Sequence, residues 1–248
     1  MSQGNDRAAR RAKLEALRAA EQRKKSRTVA LAVIGAFVAV AGAVLAIAWL
    51  SDGDERRTIA TGRSSGAGSA ADSRLVRADS HRLSEARGSD VTLVEFLDFE
   101  CEACRAAYPI VEDLRKEYAG RVTFVVRYFP IPSHFNAERA ARAVESAAQQ
   151  GKFEQMYKRM YETQTQWGER QVPADQTFRG FAADLGLDLA RYDRDYDDPA
   201  TLKRIRKDVA DGEALGVSGT PTFFLNGRKL TPSSYDDFRN AVDAALAE

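Results

Sequence analysis

Cysteine and histidine are nearly missing from this chain, with two of each in 248 residues. Two cysteines exclude a disulfide-stapled scaffold and a four-cysteine zinc site. Two histidines, His81 and His134, exclude a multi-histidine metal centre, so no metal is expected. There is no glycine-rich loop to cradle phosphate and no N-x-S/T acceptor. Asp193-x-Asp195-x-Asp197 begins like a calcium loop. Its sixth position is Asp198 where glycine is needed, and its twelfth is Arg204 where glutamate is needed. Net charge is also nearly absent, at 37 Lys+Arg against 36 Asp+Glu, but it is unevenly spread. Residues 1–28 carry nine basic and three acidic side chains, 29–50 carry none, and 51–248 carry 28 basic and 33 acidic. The larger part is mildly acidic, which excludes a nucleic-acid groove, and no nucleic acid is expected as partner.

The uncharged run Val29–Leu50 is 22 residues long and lacks proline. At ~1.5 Å per residue it reaches across a ~30 Å hydrocarbon core. Trp49 stands where an interfacial aromatic belongs, and Arg23-Lys24-Lys25-Ser26-Arg27 precedes the run. The expectation is a single-pass anchor in the lipid bilayer of the cell membrane, with a cytoplasmic N-terminal tail (1–28) and an extracytoplasmic catalytic domain. A cleaved signal peptide is the rival reading, since Ala46-Ile47-Ala48 has the form of a cleavage site. Residues 51–73 are Gly, Ser, Ala and charge, a flexible linker.

From about Arg74 the pattern becomes that of a packed domain. Val91–Phe99 and Val122–Phe129 read as buried strands, rich in β-branched and aromatic residues. Residues 102–118 read as a helix between them. Residues 136–215 are helical in pattern almost throughout: 137–150, 152–164, about 175–185 and 188–195, then 200–215. Thr222–Leu225, an Asn226-Gly227 turn and Arg228–Leu230 form a hairpin. Ser233 and Ser234 are placed to cap a last helix ending near Ala247. The order is β-α-β, helices, β-β-α.

Both cysteines lie in one motif, Cys101-Glu102-Ala103-Cys104, directly after a strand and at the start of a helix. The first thiol faces the helix N-terminus, where partial positive charge and free N–H groups stabilise a thiolate. The second lies one turn further in. Cys101 is therefore expected to attack and Cys104 to resolve the mixed disulfide. Half of a zinc site would lack ligands, and an inert disulfide closing so short a loop would constrain little chain.

These residues resemble the thioredoxin superfamily, and within it the membrane-tethered DsbA-like disulfide oxidoreductases. The likeness covers about residues 74–248. It rests on Glu95-Phe-Leu-Asp-Phe-Glu-Cys-Glu-Ala-Cys104, Gly219-Thr-Pro-Thr-Phe-Phe224, Pro109 five residues past Cys104, and Gln150-Gly-Lys-Phe153. The resemblance implies an α/β fold, a thioredoxin domain with a helical insertion at about 135–215. It implies a cis bond at Thr220–Pro221, beside the sulphurs, offering backbone to an extended substrate. It implies that Glu95 exchanges a proton with Cys104; an exposed strand carboxylate is the alternative. His134 reads as a helix-entry residue, or as a lining of the cleft.

The redox-active disulfide Cys101–Cys104 would need no cofactor. The activity implied is disulfide donation to exported cysteine-containing proteins, with a quinone-linked membrane thiol oxidase as the partner that restores the pair. A reductase for disulfide repair or cytochrome c maturation, and a non-redox binding module, are the alternatives. One departure stands out. Strong oxidants of the family commonly carry Pro-His between the cysteines, and here Glu102-Ala103 stands there. Negative charge at Glu102 is expected to offset the helix N-terminus and leave Cys101 less acidic than in a Pro-His relative, hence a moderate oxidant.

Overall fold

The computed structural model describes residues 73–248. The tail, the apolar span 29–50 and the linker up to residue 72 lie outside the described residues.

Strand β2 (Thr92–Leu97) is the centre of a five-stranded sheet. It runs parallel to β3 (Thr123–Tyr128) and antiparallel to β4 (Thr222–Leu225). The edges are β1 (His81–Ser84), antiparallel to β3, and β5 (Arg228–Leu230), antiparallel to β4. The order is β1-β3-β2-β4-β5. A central strand is covered on both faces, which is why β2 reads as a nearly continuous apolar run. Alternation then sorts its side chains. Leu93 and Leu97 enter one core, while Val94 and Phe96 enter the other. Glu95 shares the face of Leu93 and Leu97.

Helix α1 (Glu102–Glu117) follows β2 and runs through Pro109. Five helices lie between β3 and β4: α2 (Ala137–Ala148), α3 (Phe153–Trp167), α4 (Asp175–Asp184), α5 (Leu189–Asp197) and α6 (Pro199–Ala214). The last helix, α7 (Tyr235–Leu246), is capped by Ser234, whose hydroxyl accepts from the Asp237 N–H. Asp198 caps α6, with Pro199 in its first turn. Helix α6 lies tight against the second core: a Cβ at Gly212 would stand 2.8 Å from the Phe129 ring and 3.0 Å from Phe96.

The strand and helix boundaries fall within one to three residues of the sequence reading, with one addition. Strand β1 was not expected. His-Arg-Leu-Ser has no alternation to read, and its pairing with β3 is irregular between Arg82 and Ser84. What fixes it is tertiary. His81 stacks on Phe153 at 4.1 Å and shares a 2.6 Å hydrogen bond with the Glu145 carboxylate.

The expected cell-membrane localisation, with one span and an extracytoplasmic catalytic domain, finds no support in this fold. Among the described residues no helix is long and apolar enough to cross a membrane. The longest, α1 and α6, have 16 residues each. At ~1.5 Å per residue that falls short of a ~30 Å hydrocarbon core.

Strand β3 carries Arg127, fully buried in the second core. Its Nε donates to Asp208 at 2.9 Å, Nη2 to Asp211 at 2.6 Å and Nη1 to the Leu75 carbonyl at 2.6 Å. Asp208 also accepts from the Tyr128 N–H. A buried guanidinium is tolerated only with its donors paired. Asp208→Ala leaves it partly orphaned, and is expected to destabilise the domain by ~3–5 kcal/mol, read by urea unfolding.

Candidate active site

Cys101 is the N-cap of α1, with extended backbone, so its side chain sits over the first turn of free N–H groups. Cys104 is one turn on and fully buried, and both are free thiols. The Thr220–Pro221 bond is cis, and the Cys101 Sγ–H donates to the Thr220 carbonyl at 3.4 Å. The structure thus places Thr220 and Pro221 beside the Cys101–Cys104 pair.

The turn that delivers Cys101 is tied to the helical segment. Gln164 of α3 donates from Nε2 to the carbonyls of Phe99 (2.7 Å) and Cys101 (3.0 Å). Glu100 is buried and accepts from the backbone N–H groups of Asn136 and Glu169. Asp98 accepts from the Glu100 N–H at 2.8 Å, the Ile131 N–H at 2.9 Å and His134 Nδ1 at 2.6 Å. None of Gln164, Asp98 or the support role of Glu100 was read from the sequence. A buried polar side chain on a strand or helix has no pattern of its own; the one available signal is that Asp98 interrupts the apolar run 91–99.

His134 is neither a plain helix-entry residue nor a free lining of the cleft. It stands two residues before the N-cap of α2, and its imidazole is spoken for by Asp98. Burial opposes its protonation, but the hydrogen bond to Asp98 and the charges of Asp98, Cys101 and Glu100 hold it above the usual imidazole range.

The three groups proposed for chemistry are driven apart. Cys101 is lowered to about 5. The Cys104 thiol donates to it, burial opposes, and the N–H groups of Cys104 and Ala103 add to the stabilisation. Burial pushes Cys104 well above the usual thiol range, helped by its bond to Cys101 and the charge of Glu95. Glu95 is buried and raised to about 8, by burial first and then by the charges of Cys101 and Glu112. The exposed-carboxylate alternative for Glu95 is therefore set aside. The expected offset by Glu102 is corrected too. Glu102 and Ala103 are exposed, so solvent screens the Glu102 charge while the N-cap geometry acts directly on the sulphur.

Beside Pro221 runs a groove of about 430 Å³, lined by Ile110, Phe223, Leu230, Pro232 and Phe238 among others. A strand–turn–helix cysteine pair with one thiolate, one shielded thiol and a cis-proline loop can carry out thiol–disulfide exchange. Among the described residues no cluster of histidine, cysteine and carboxylates is arranged to hold a metal.

The family description Thioredoxin matches residues 86–244, more than half of the chain. The chain belongs to the thioredoxin family. A solved thioredoxin-like oxidoreductase from Silicibacter pomeroyi is 29% identical, with a TM-score of 0.60 over 71% of this chain and 98% of that one. DsbA1 of the α type from Wolbachia pipientis shares the fold at 16% identity, with a TM-score of 0.63 over 71% and 96%. The first is described as a thioredoxin-like oxidoreductase, and the second shows that this fold is shared with a DsbA protein. The Na(+)/H(+) antiporter NhaA of Herminiimonas arsenicoxydans is 38% identical over 148 residues, 60% of this chain. The chain spans less than a quarter of the length of that curated relative and of the next, also a Na(+)/H(+) antiporter. These relatives are thus named as antiporters, and the chain matches them over its thioredoxin-like part alone. With the absence of a spanning helix among the described residues, this overturns the single-pass localisation.

Two outcomes follow from the charges at this site. Alkylation of Cys101 by iodoacetamide is expected to follow a thiolate with a midpoint at about 5, with Cys104 unmodified in the folded dithiol form. A midpoint in the ordinary thiol range would show that the N-cap does not stabilise the thiolate. Glu95 bears on stability. Its folded value of about 8 lies above its ordinary one, so the folded chain keeps a proton that the unfolded chain releases. Folding is penalised increasingly as pH rises from the ordinary carboxyl range to about 8, and constantly beyond. In urea unfolding of the dithiol form, Glu95→Gln should gain on the wild type from about pH 5 to about 8 and hold a constant advantage above that.

Proposed function

We propose that this thioredoxin-family chain is a protein disulfide oxidoreductase working in the oxidising direction, passing the Cys101–Cys104 disulfide to cysteine-containing client proteins. The observation that carries the direction is the asymmetry of the two thiols. A thiolate at about 5 on Cys101 stabilises the dithiol form, and a stabilised dithiol makes its disulfide the stronger oxidant. The shift at neutral pH is on the order of tens of millivolts.

A client segment lies extended against Thr220–Pro221, with an apolar side chain in the adjoining groove. A client thiolate attacks Cys101 Sγ; the Cys101–Cys104 bond breaks and a client–Cys101 bond forms. Cys104 leaves as a thiolate and takes a proton from the Glu95 carboxyl, which is held neutral by burial. A second client thiolate then attacks the client sulphur of the mixed disulfide, and Cys101 leaves as the stabilised thiolate. Two electrons pass from the client to the cysteine pair. A thiol oxidase, quinone-linked as the resemblance implies, takes them on.

The test is reoxidation of reduced, unfolded ribonuclease by the full chain in its disulfide form. Cys101→Ala and Cys104→Ala should each abolish turnover, and Cys104→Ala, offered ribonuclease that already carries disulfides, should accumulate mixed disulfides through Cys101. Equilibration with glutathione decides direction. A Cys101–Cys104 disulfide that persists in a buffer reducing enough to open a moderate oxidant would overturn the oxidising reading in favour of a reductase.

A further inference from the structure

Cys104, Tyr108, Glu112 and Arg115 follow one another at spacings of four, four and three along α1, which places them on one face. Tyr157, Tyr161 and Gln164 do the same along α3, and the two faces meet. The Tyr108 ring lies 5.2 Å from that of Tyr161 and 5.6 Å from that of Tyr157, and the Tyr157 and Tyr161 rings are 5.3 Å apart. Phe99, just ahead of the cysteines, touches Tyr161 at 5.3 Å. Glu95 points to this same side of the sheet. Tyr157 and Tyr161 are 0% and 3% exposed, yet neither hydroxyl has a hydrogen-bond partner among the described residues. Phenylalanine would pack as well there without burying a polar atom. Buried hydroxyls that find no protein partner are ordinarily satisfied by ordered water.

Glu95 needs a route to solvent. It is enclosed between Val126 of β3 and Phe223 of β4, and the mouth at Cys101 is the side a client covers. Tyr161 is electrostatically coupled to Cys104 and Glu95, and Tyr157 to Glu95, Glu112 and Tyr108. Glu112 stands at the outer end, its carboxylate accepting from Arg115 at 2.6 Å.

We propose that the Tyr157 and Tyr161 hydroxyls, bridged by buried water, carry protons between Glu95 and the rim of the α1–α3 seam at Tyr108 and Glu112. The inference rests on the exchange reaction above. When Cys104 leaves as a thiolate it takes the Glu95 proton. The carboxylate so formed is reprotonated from the rim, each hydroxyl accepting one proton and passing one on. No electrons move along this path, and the hydroxyls end unchanged.

The experiment mixes the full chain in its disulfide form with excess reduced glutathione at about pH 9, above the Glu95 value, where the proton for Cys104 has first to reach Glu95 from the rim, in H₂O and in D₂O. Acid quench and alkylation then follow the release of Cys104. Tyr157→Phe, Tyr161→Phe and the double variant should release Cys104 about 5- to 10-fold more slowly, with an altered solvent isotope effect. That is a part of the ~10²–10⁴ that positioned proton transfer supplies. Tyr192→Phe, which removes an equally unpartnered buried hydroxyl from α5, should release Cys104 at the wild-type rate. If the double variant loses its fold, the single variants carry the test. Release at the wild-type rate with an unchanged isotope effect in the tyrosine variants overturns the path while leaving the exchange reaction standing. Failure of glutathione to attack Cys101 in the wild type overturns the exchange reaction and the path with it.

Discussion

The turn from Asp98 to Cys101 is tied at nearly every peptide group, and the chemistry of the site depends on that tie. Two carbonyls of the turn are held by Gln164, the Glu100 N–H by the Asp98 side chain, and the Cys101 N–H by the Asp98 carbonyl at 3.2 Å. A nucleophile at a helix N-cap benefits from the free N–H groups only while its backbone is held there. Without Gln164 and Asp98 the thiolate would be as free as the turn. The helical segment between β3 and β4 therefore does more than cover the sheet: it supplies the side chains that aim the sulphur.

From this placement the electrostatics follow in sequence. A stabilised negative charge on Cys101 discourages a second one nearby, and burial adds to the same effect at Cys104 and Glu95. Two thiols of the same ordinary acidity and one carboxyl are reordered, so that the thiol at the helix N-cap is the strongest acid and the buried carboxyl holds its proton near neutrality. One charged group and two neutral ones are what a site needs if it is to be attacked at one sulphur and to protonate the other.

Much of this was legible in the sequence, because the governing patterns are local. The run 91–99 named the central strand, Asn226-Gly227 named the hairpin, and a cysteine pair between strand and helix named the chemistry. The Gly219–Phe224 likeness located Thr220 and Pro221. What escaped shares a physical cause: its meaning lies in partners far along the chain. Strand β1 exists because His81 finds Phe153 and Glu145. Gln164 is an ordinary helix residue until its amide meets the carbonyls of Phe99 and Cys101. Arg127 is a lone charge within a strand run, and only Asp208 and Asp211, more than eighty residues on, make it tolerable in a core. The Glu102 argument failed for a related reason. Sequence distance from Cys101 is short, but the side chain leaves for solvent, and proximity along the chain is not proximity in a low dielectric.

Both margins of the sheet are brief and carry cations. β5 offers three residues with Arg228 and Lys229 exposed, and β1 offers four with Arg82 exposed and an irregular pairing. Such margins are poor templates for another strand. Under the exchange with client proteins proposed above, this amounts to selective hospitality. An unpaired segment finds no long border along which to anneal and grow. The backbone offered beside Pro221 is a short loop, wide enough to detain one segment while sulphurs trade and too small to recruit the next.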